Sequence, residues 1–110
     1  MIGILCIIIR RPKGQEVSTS GIRTAWASYT SALDASILLI EDGVFNGLDN
    51  PGYNTEMLKD FISQNGKVYC YRRDMEERGL TASDLLDRIE VVEEERVAEI
   101  VSESEGTVTF

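Results

Sequence analysis

The sequence contains no histidine. A Ser-His-Asp triad, a Cys-His nucleophile pair and a histidine zinc site are therefore excluded within this chain, because each needs an imidazole as base or ligand. Cysteine is scarce as well. Cys6 and Cys70 are the two present, far apart and not arranged as C-x-x-C, which argues against a disulfide scaffold or a zinc ribbon. Positive charge is in deficit: 11 Lys and Arg against 19 Asp and Glu, a formal net charge of −8. That is the wrong sign for binding driven by phosphate contacts or for adhesion to an anionic membrane. Long apolar runs are missing too. Met1 to Ile9 is apolar but too short to span a bilayer, and it lacks the basic start and small-residue cleavage site of a signal peptide. These absences lead to the expectation of a cytoplasmic protein with reduced thiols, with no metal, no cofactor, no direct nucleic-acid contact and no membrane association.

What is present is the composition of an ordinary globular protein. The 110 residues are 43% hydrophobic and 27% charged, enough for one domain, 1–110, to bury a core without staples. Ile2, Ile4, Leu5, Cys6, Ile7, Ile8 and Ile9 form a β-branched run of the kind found in strands covered on both faces. After the basic loop Arg10–Gly14, Ser18, Thr19 and Ser20 offer helix caps. Ile22, Ala25, Trp26, Tyr29 and Leu33 then share one helical face. Ser36–Ile40 is a second buried strand, ended by Glu41-Asp42-Gly43. An apolar turn with Val44, Phe45 and Leu48 leads to a helix capped by Asn54 or Thr55 and running to Gln64. Lys67–Tyr71 is a third strand, followed by a loop or short helix over Arg72–Arg78. Thr81 caps a short helix through Leu86. Ile89–Val92 is a fourth strand, Glu93–Ser102 a charged helix, and Thr107–Phe110 a fifth strand. Regular alternation of this kind predicts a three-layer α/β/α fold around a five-stranded, mostly parallel sheet of flavodoxin-like architecture.

Open parallel sheets bind ligands beyond the carboxyl ends of their strands, so the residues there carry the chemical expectations. Cys70 ends the third strand. Arg72 and Arg73 follow it, and a helix start nearby would favour a thiolate able to carry a persulfide. The plain alternative is a buried cysteine acting as a small hydrophobe, which is also the reading for Cys6. Lys13 and Gly14 in the basic loop, with Asp42, Tyr71, Arg72 and Arg73, could line a site for a small anionic ligand such as a nucleotide or flavin. No phosphate-loop glycine pattern accompanies them. Glu41 and Asp42 are adjacent on a strand end and so point apart, which suits a turn better than an acid–base pair.

Three stretches together resemble the DsrE/DsrF-like family, most closely its DsrF or TusC branch. They are Pro12-Lys13-Gly14 after an Ile-rich strand, Leu39-Ile40-Glu41-Asp42-Gly43-Val44-Phe45, and Val68-Tyr69-Cys70 followed by Met75-Glu76-Glu77-Arg78-Gly79-Leu80. Val108-Thr109-Phe110 is similar to the family's closing strand. The resemblance implies a subunit or carrier in an intracellular sulfur relay that passes persulfide between proteins, for tRNA wobble-uridine thiolation or sulfur oxidation. It also implies a homo-oligomer or a hetero-oligomer with related subunits, together with sulfur donor and acceptor proteins. Trp26, Tyr29, Phe45, Tyr53 and Tyr71 supply aromatics for such contacts. Relatives with a working cysteine carry it at the end of strand three. Counted back from Arg78-Gly79-Leu80, that position falls on Tyr71, and Cys70 lies one residue earlier. A one-residue shift on a strand turns a side chain to the opposite face, so either a bulge re-aims Cys70 as a carrier or the usual persulfide site is absent; strand alternation puts the non-catalytic subunit ahead.

Overall fold

The computed structural model describes residues 4–30 and 34–110, with the backbone alone at Tyr29 and Thr30. The strand residue Ile2, the helix residue Leu33 and the Tyr29 side chain lie outside the described residues. The elements run β1 (Ile4–Ile9), α1 (Glu16–Thr30), β2 (Asp34–Leu39), a 3-10 helix (Glu41–Gly47), α2 (Tyr53–Ser63), β3 (Lys67–Tyr71), α3 (Arg72–Glu77), a short 3-10 turn (Ala82–Asp84), β4 (Glu90–Val92), α4 (Glu94–Glu103) and β5 (Gly106–Thr109). The sheet order is β4-β3-β2-β1-β5, and every neighbouring pair is parallel. The five-stranded parallel sheet read from the sequence is therefore observed, with β1 inside it rather than at an edge.

Direction along the sheet decides which face each helix covers. From β1 to β3 the chain steps one way, and right-handed crossovers keep the intervening helices on one face. Ile22 and Ala25 of α1, Leu58, Phe61 and Ile62 of α2, and Met75 of α3 pack there on Ile7, Ile9, Ile37, Leu39, Val68 and Cys70. From β4 the chain crosses back over the sheet to β5, which puts α4 on the other face. Ile100 and Val97 of α4 meet Cys6, Ile8, Leu38, Tyr69 and Val92 there. Alternate residues of β1, β2, β3 and β4 thus enter different cores, as the period of two requires.

The start of α1 differs from the sequence reading. Ser18, Thr19 and Ser20 lie inside the helix, not at its cap. The Ser18 hydroxyl donates to the carbonyls of Gln15 at 2.8 Å and Pro12 at 3.0 Å, whereas a capping oxygen accepts from backbone N–H groups. Thr81 behaves as expected and forms a capping box with Asp84, whose carboxylate accepts the Thr81 N–H at 2.8 Å. The turn it opens is only three residues long, because Leu85 follows at once in extended backbone and, with Leu86, is buried in the α1–α2 core. Among the described residues no helix is long and apolar enough to cross a membrane.

Candidate functional site

The carboxyl ends of β3 and β4 form the point where the chain divides. The two strands are neighbours, yet β3 leads into α3 on the α1–α2 face while β4 leads into α4 on the opposite face. Parallel sheets bind their ligands beyond the strand ends at such a point of divergence. Tyr71 and Arg72 stand on one side of it and Glu93 on the other. The Arg72 Nε donates to Glu93 Oε2 at 2.5 Å, and a second guanidinium nitrogen lies 3.9 Å from Glu76. Arg73 pairs with Glu77 at 3.5 Å. Both arginines read as thiolate stabilisers are therefore turned to carboxylates.

Cys70 does not face this point. Its Cα pairs with Leu39 on β2 and Val91 on β4, and its side chain joins the α1–α2 core at 0% exposure. Burial pushes the thiol up from 9.0 to about 12, and the negative charge of Asp74 adds to the rise. A helix does start beside Cys70, at Arg72, but the thiolate environment drawn from Arg72 and Arg73 is corrected by this geometry. Low-dielectric surroundings and a nearby carboxylate both disfavour the anion. Cys6 is equally buried, on the α4 face. Burial raises its pKa, opposed in smaller measure by hydrogen bonds with Ser36 and Ser104. Tyr71, one residue after Cys70, is half-buried and caps α3 with extended backbone. Strand alternation points it to the face away from the Cys70 sulfur.

The loop after β2 is fixed by several long-range contacts. The Glu41 carboxylate accepts two hydrogen bonds from Arg10, at 2.6 and 3.3 Å, and Asp42 accepts one from Arg78 at 2.8 Å. The two acids diverge, as their adjacency predicts. Gly43 sits against the end of β1: a Cβ there would lie 1.8 Å from the Ile9 carbonyl oxygen. Only a residue without a side chain allows the 3-10 helix to cross β1 so closely.

Lys13 and Gly14 belong to a different neighbourhood. With Thr19, Arg23, Gly52 and Asn54 they line a cavity of about 500 Å³ beside the start of α2. The Lys13 ammonium is already committed. It donates to Asn50 Oδ1 at 2.5 Å, to the Leu48 carbonyl at 3.4 Å and to the Thr55 hydroxyl. Burial lowers its pKa, against the attraction of Asp49. An ammonium has three donors, and here one ties the β1–α1 loop to Thr55 of α2 while two tie it to Leu48 and Asn50 in the loop that leads into α2.

Two side chains central to this end of the molecule went unmarked in the sequence. Asp74 accepts the Glu41 backbone N–H at 2.6 Å and approaches Arg78 at 3.9 Å, which joins α3 to the β2 loop. An acid in the first turn of a helix was the available signal. Asn46 is fully buried and donates to the carbonyls of Arg11 and Gly43 at 2.9 and 3.0 Å. Nothing in its sequence neighbourhood announced that role.

The model of the DsrE/DsrF-like family matches residues 3–110. A relative named Uncharacterized protein MK0008, from Methanopyrus kandleri, is 29% identical over 97% of this chain and 93% of its own length. The crystal structure of the ychN protein from E. coli superposes with a TM-score of 0.83 at 27% identity, with full coverage of both chains. The protein of unknown function MTH1491 from Methanobacterium thermoautotrophicum shares the fold, with a TM-score of 0.80 at 12% identity and full coverage.

Proposed function

The chain belongs to the DsrE/DsrF-like family, and from that premise we propose that it is a non-catalytic subunit of a cytoplasmic sulfur-relay assembly. In this role it combines with related subunits that carry the persulfide, and it presents no thiol of its own to the sulfur donor or acceptor. The observation that supports this most is the placement of sulfur. Cys6 and Cys70 are both 0% exposed, while Tyr71 occupies the strand position at which the family resemblance puts the working cysteine.

Persulfide transfer needs an accessible thiolate. The receiving thiolate attacks the outer sulfur of the donor persulfide, a new S–S bond forms, the donor's S–S bond breaks, and the donor leaves as thiolate. Burial denies access, and the raised pKa of Cys70 denies the anion. Both obstacles come from the strand register, so moving the sulfur by one residue removes both. Tyr71→Cys is expected to create a chain that a thiol reagent labels rapidly at residue 71. Incubated with a cysteine desulfurase and cysteine, that variant should gain one sulfur at the same residue, read by intact mass and peptide mapping. A folded Tyr71→Cys protein that resists both reactions would remove the argument that register alone silences this subunit.

A further inference from the structure

A groove runs between α1 and α2 on the outer surface of the molecule. It is lined by Arg23 and Trp26 from α1 and by Tyr53, Glu56, Met57 and Asp60 from α2, and it encloses about 430 Å³. The four α2 positions follow the i, i+3, i+4, i+7 spacing of a single helical stripe. Both helices connect parallel strands on one face of the sheet, so they run side by side in the same direction. Trp26 is 38% exposed and Tyr53 64%. Tryptophan, tyrosine, methionine and arginine are the residue types enriched at the centres of protein interfaces.

The charges in the groove are unevenly satisfied. The Arg23 guanidinium lies 5.9 Å from the Tyr53 ring centre and donates to its hydroxyl at 3.3 Å. Glu56 and Asp60 form no ion pair among the described residues. Arg23 forms no ion pair among the described residues either, so the groove holds two carboxylates against one guanidinium, an acidic excess beside the apolar floor.

We propose that this groove docks a cationic amphipathic segment of a partner protein, its apolar side on Trp26 and Met57 and its Lys or Arg side chains on Glu56 and Asp60. Charge complementarity selects that occupant. The groove carries an acidic excess, two carboxylates against one guanidinium, and the chain as a whole carries −8, so long-range steering favours a basic partner and opposes a second copy. The geometry is that of an amphipathic helix laid into a groove. The inference stands apart from the sulfur-relay reading, since it uses neither thiol.

Trp26 is the single tryptophan of the chain, so its fluorescence reports occupancy directly. The probe is a synthetic Leu/Lys amphipathic helix without tryptophan, with its Leu/Glu counterpart as control. The Leu/Lys peptide is expected to shift Trp26 emission saturably, and the Leu/Glu peptide to leave it unchanged. Glu56→Lys with Asp60→Lys should weaken the Leu/Lys peptide at least about tenfold and confer binding of the Leu/Glu peptide. Glu94→Lys with Glu95→Lys on α4, across the sheet, makes the same change in net charge and should alter affinity less than about threefold. Circular dichroism establishes that both variants remain folded. Equal weakening by the two double variants would reduce the effect to bulk charge and overturn the proposal. So would the absence of a saturable shift, or a dimer in sedimentation that Trp26→Ala abolishes, because the groove would then hold a second copy.

Discussion

Alkylation of Cys70 in the folded protein at pH 8 is expected to run at least about a thousandfold slower than in the same chain unfolded in denaturant. The factor follows from the thiolate fraction. A thiol at the ordinary value of 9.0 is roughly one-tenth ionised at pH 8, whereas one held at about 12 is ionised to roughly one part in ten thousand. Full burial between β2, β4 and the α1–α2 core adds a steric barrier, so the little labelling that occurs should track opening of the structure. The same burial couples Cys70 to stability, with a definite sign. The unfolded chain releases the thiol proton near pH 9, while the folded chain keeps it to about 12. Between those values the unfolded state binds fewer protons, so stability falls as pH rises, by roughly 1 kcal/mol per pH unit. Urea titrations between pH 8 and 10 should show this slope in the native protein and a shallower one in Cys70→Ala. Labelling within tenfold of the unfolded rate would show that the sulfur is reachable.

Replacing Gly43 with alanine is expected to cost about 3 kcal/mol or more, because the new methyl group meets backbone rather than a movable side chain. It would lie 1.8 Å from the Ile9 oxygen, 2.6 Å from its carbon and 3.1 Å from the Arg10 nitrogen. That oxygen already accepts the Ile40 N–H at 3.1 Å, so β1 cannot turn aside without breaking the strand-end contact. The 3-10 helix must lift instead, and with it go the partnerships of Glu41 with Arg10 and of Asp42 with Arg78. Gly14 provides the contrast. Nothing lies within 4 Å of a Cβ built there, although its φ of +97° remains unfavourable for alanine, so Gly14→Ala should cost only about 1–2 kcal/mol. Urea midpoints of the two variants measure the difference. A Gly43→Ala protein as stable as Gly14→Ala would refute the close crossing.

The physics that makes these effects large also decides how much could be read from the sequence. β3 was legible residue for residue, because Lys67–Tyr71 is a short β-branched and aromatic run between Asn65-Gly66 and a charged stretch. The parallel sheet followed from the alternation of such runs with helical ones. The opposite facing of Cys70 and Tyr71 followed from the period of two alone. Side-chain pairing over long distances was not legible. Arg72 meets Glu93, 21 residues away, and Lys13 meets Asn50 and Thr55, 37 and 42 residues away. Composition placed positive charge near the strand ends, yet the fold spends it on carboxylates and carbonyls. The arginine partner of Asp42 and the burial of Asn46 depended on how the β2 loop crosses β1, which Gly43 permits but does not announce.

The placement of sulfur is tested most directly by offering it. The native protein, incubated with a cysteine desulfurase and cysteine and then weighed intact under non-reducing conditions, is expected to keep its starting mass, because neither Cys6 nor Cys70 is exposed. A gain of one sulfur that disappears in Cys70→Ser and persists in Cys6→Ser would contradict the account and make Cys70 a persulfide carrier.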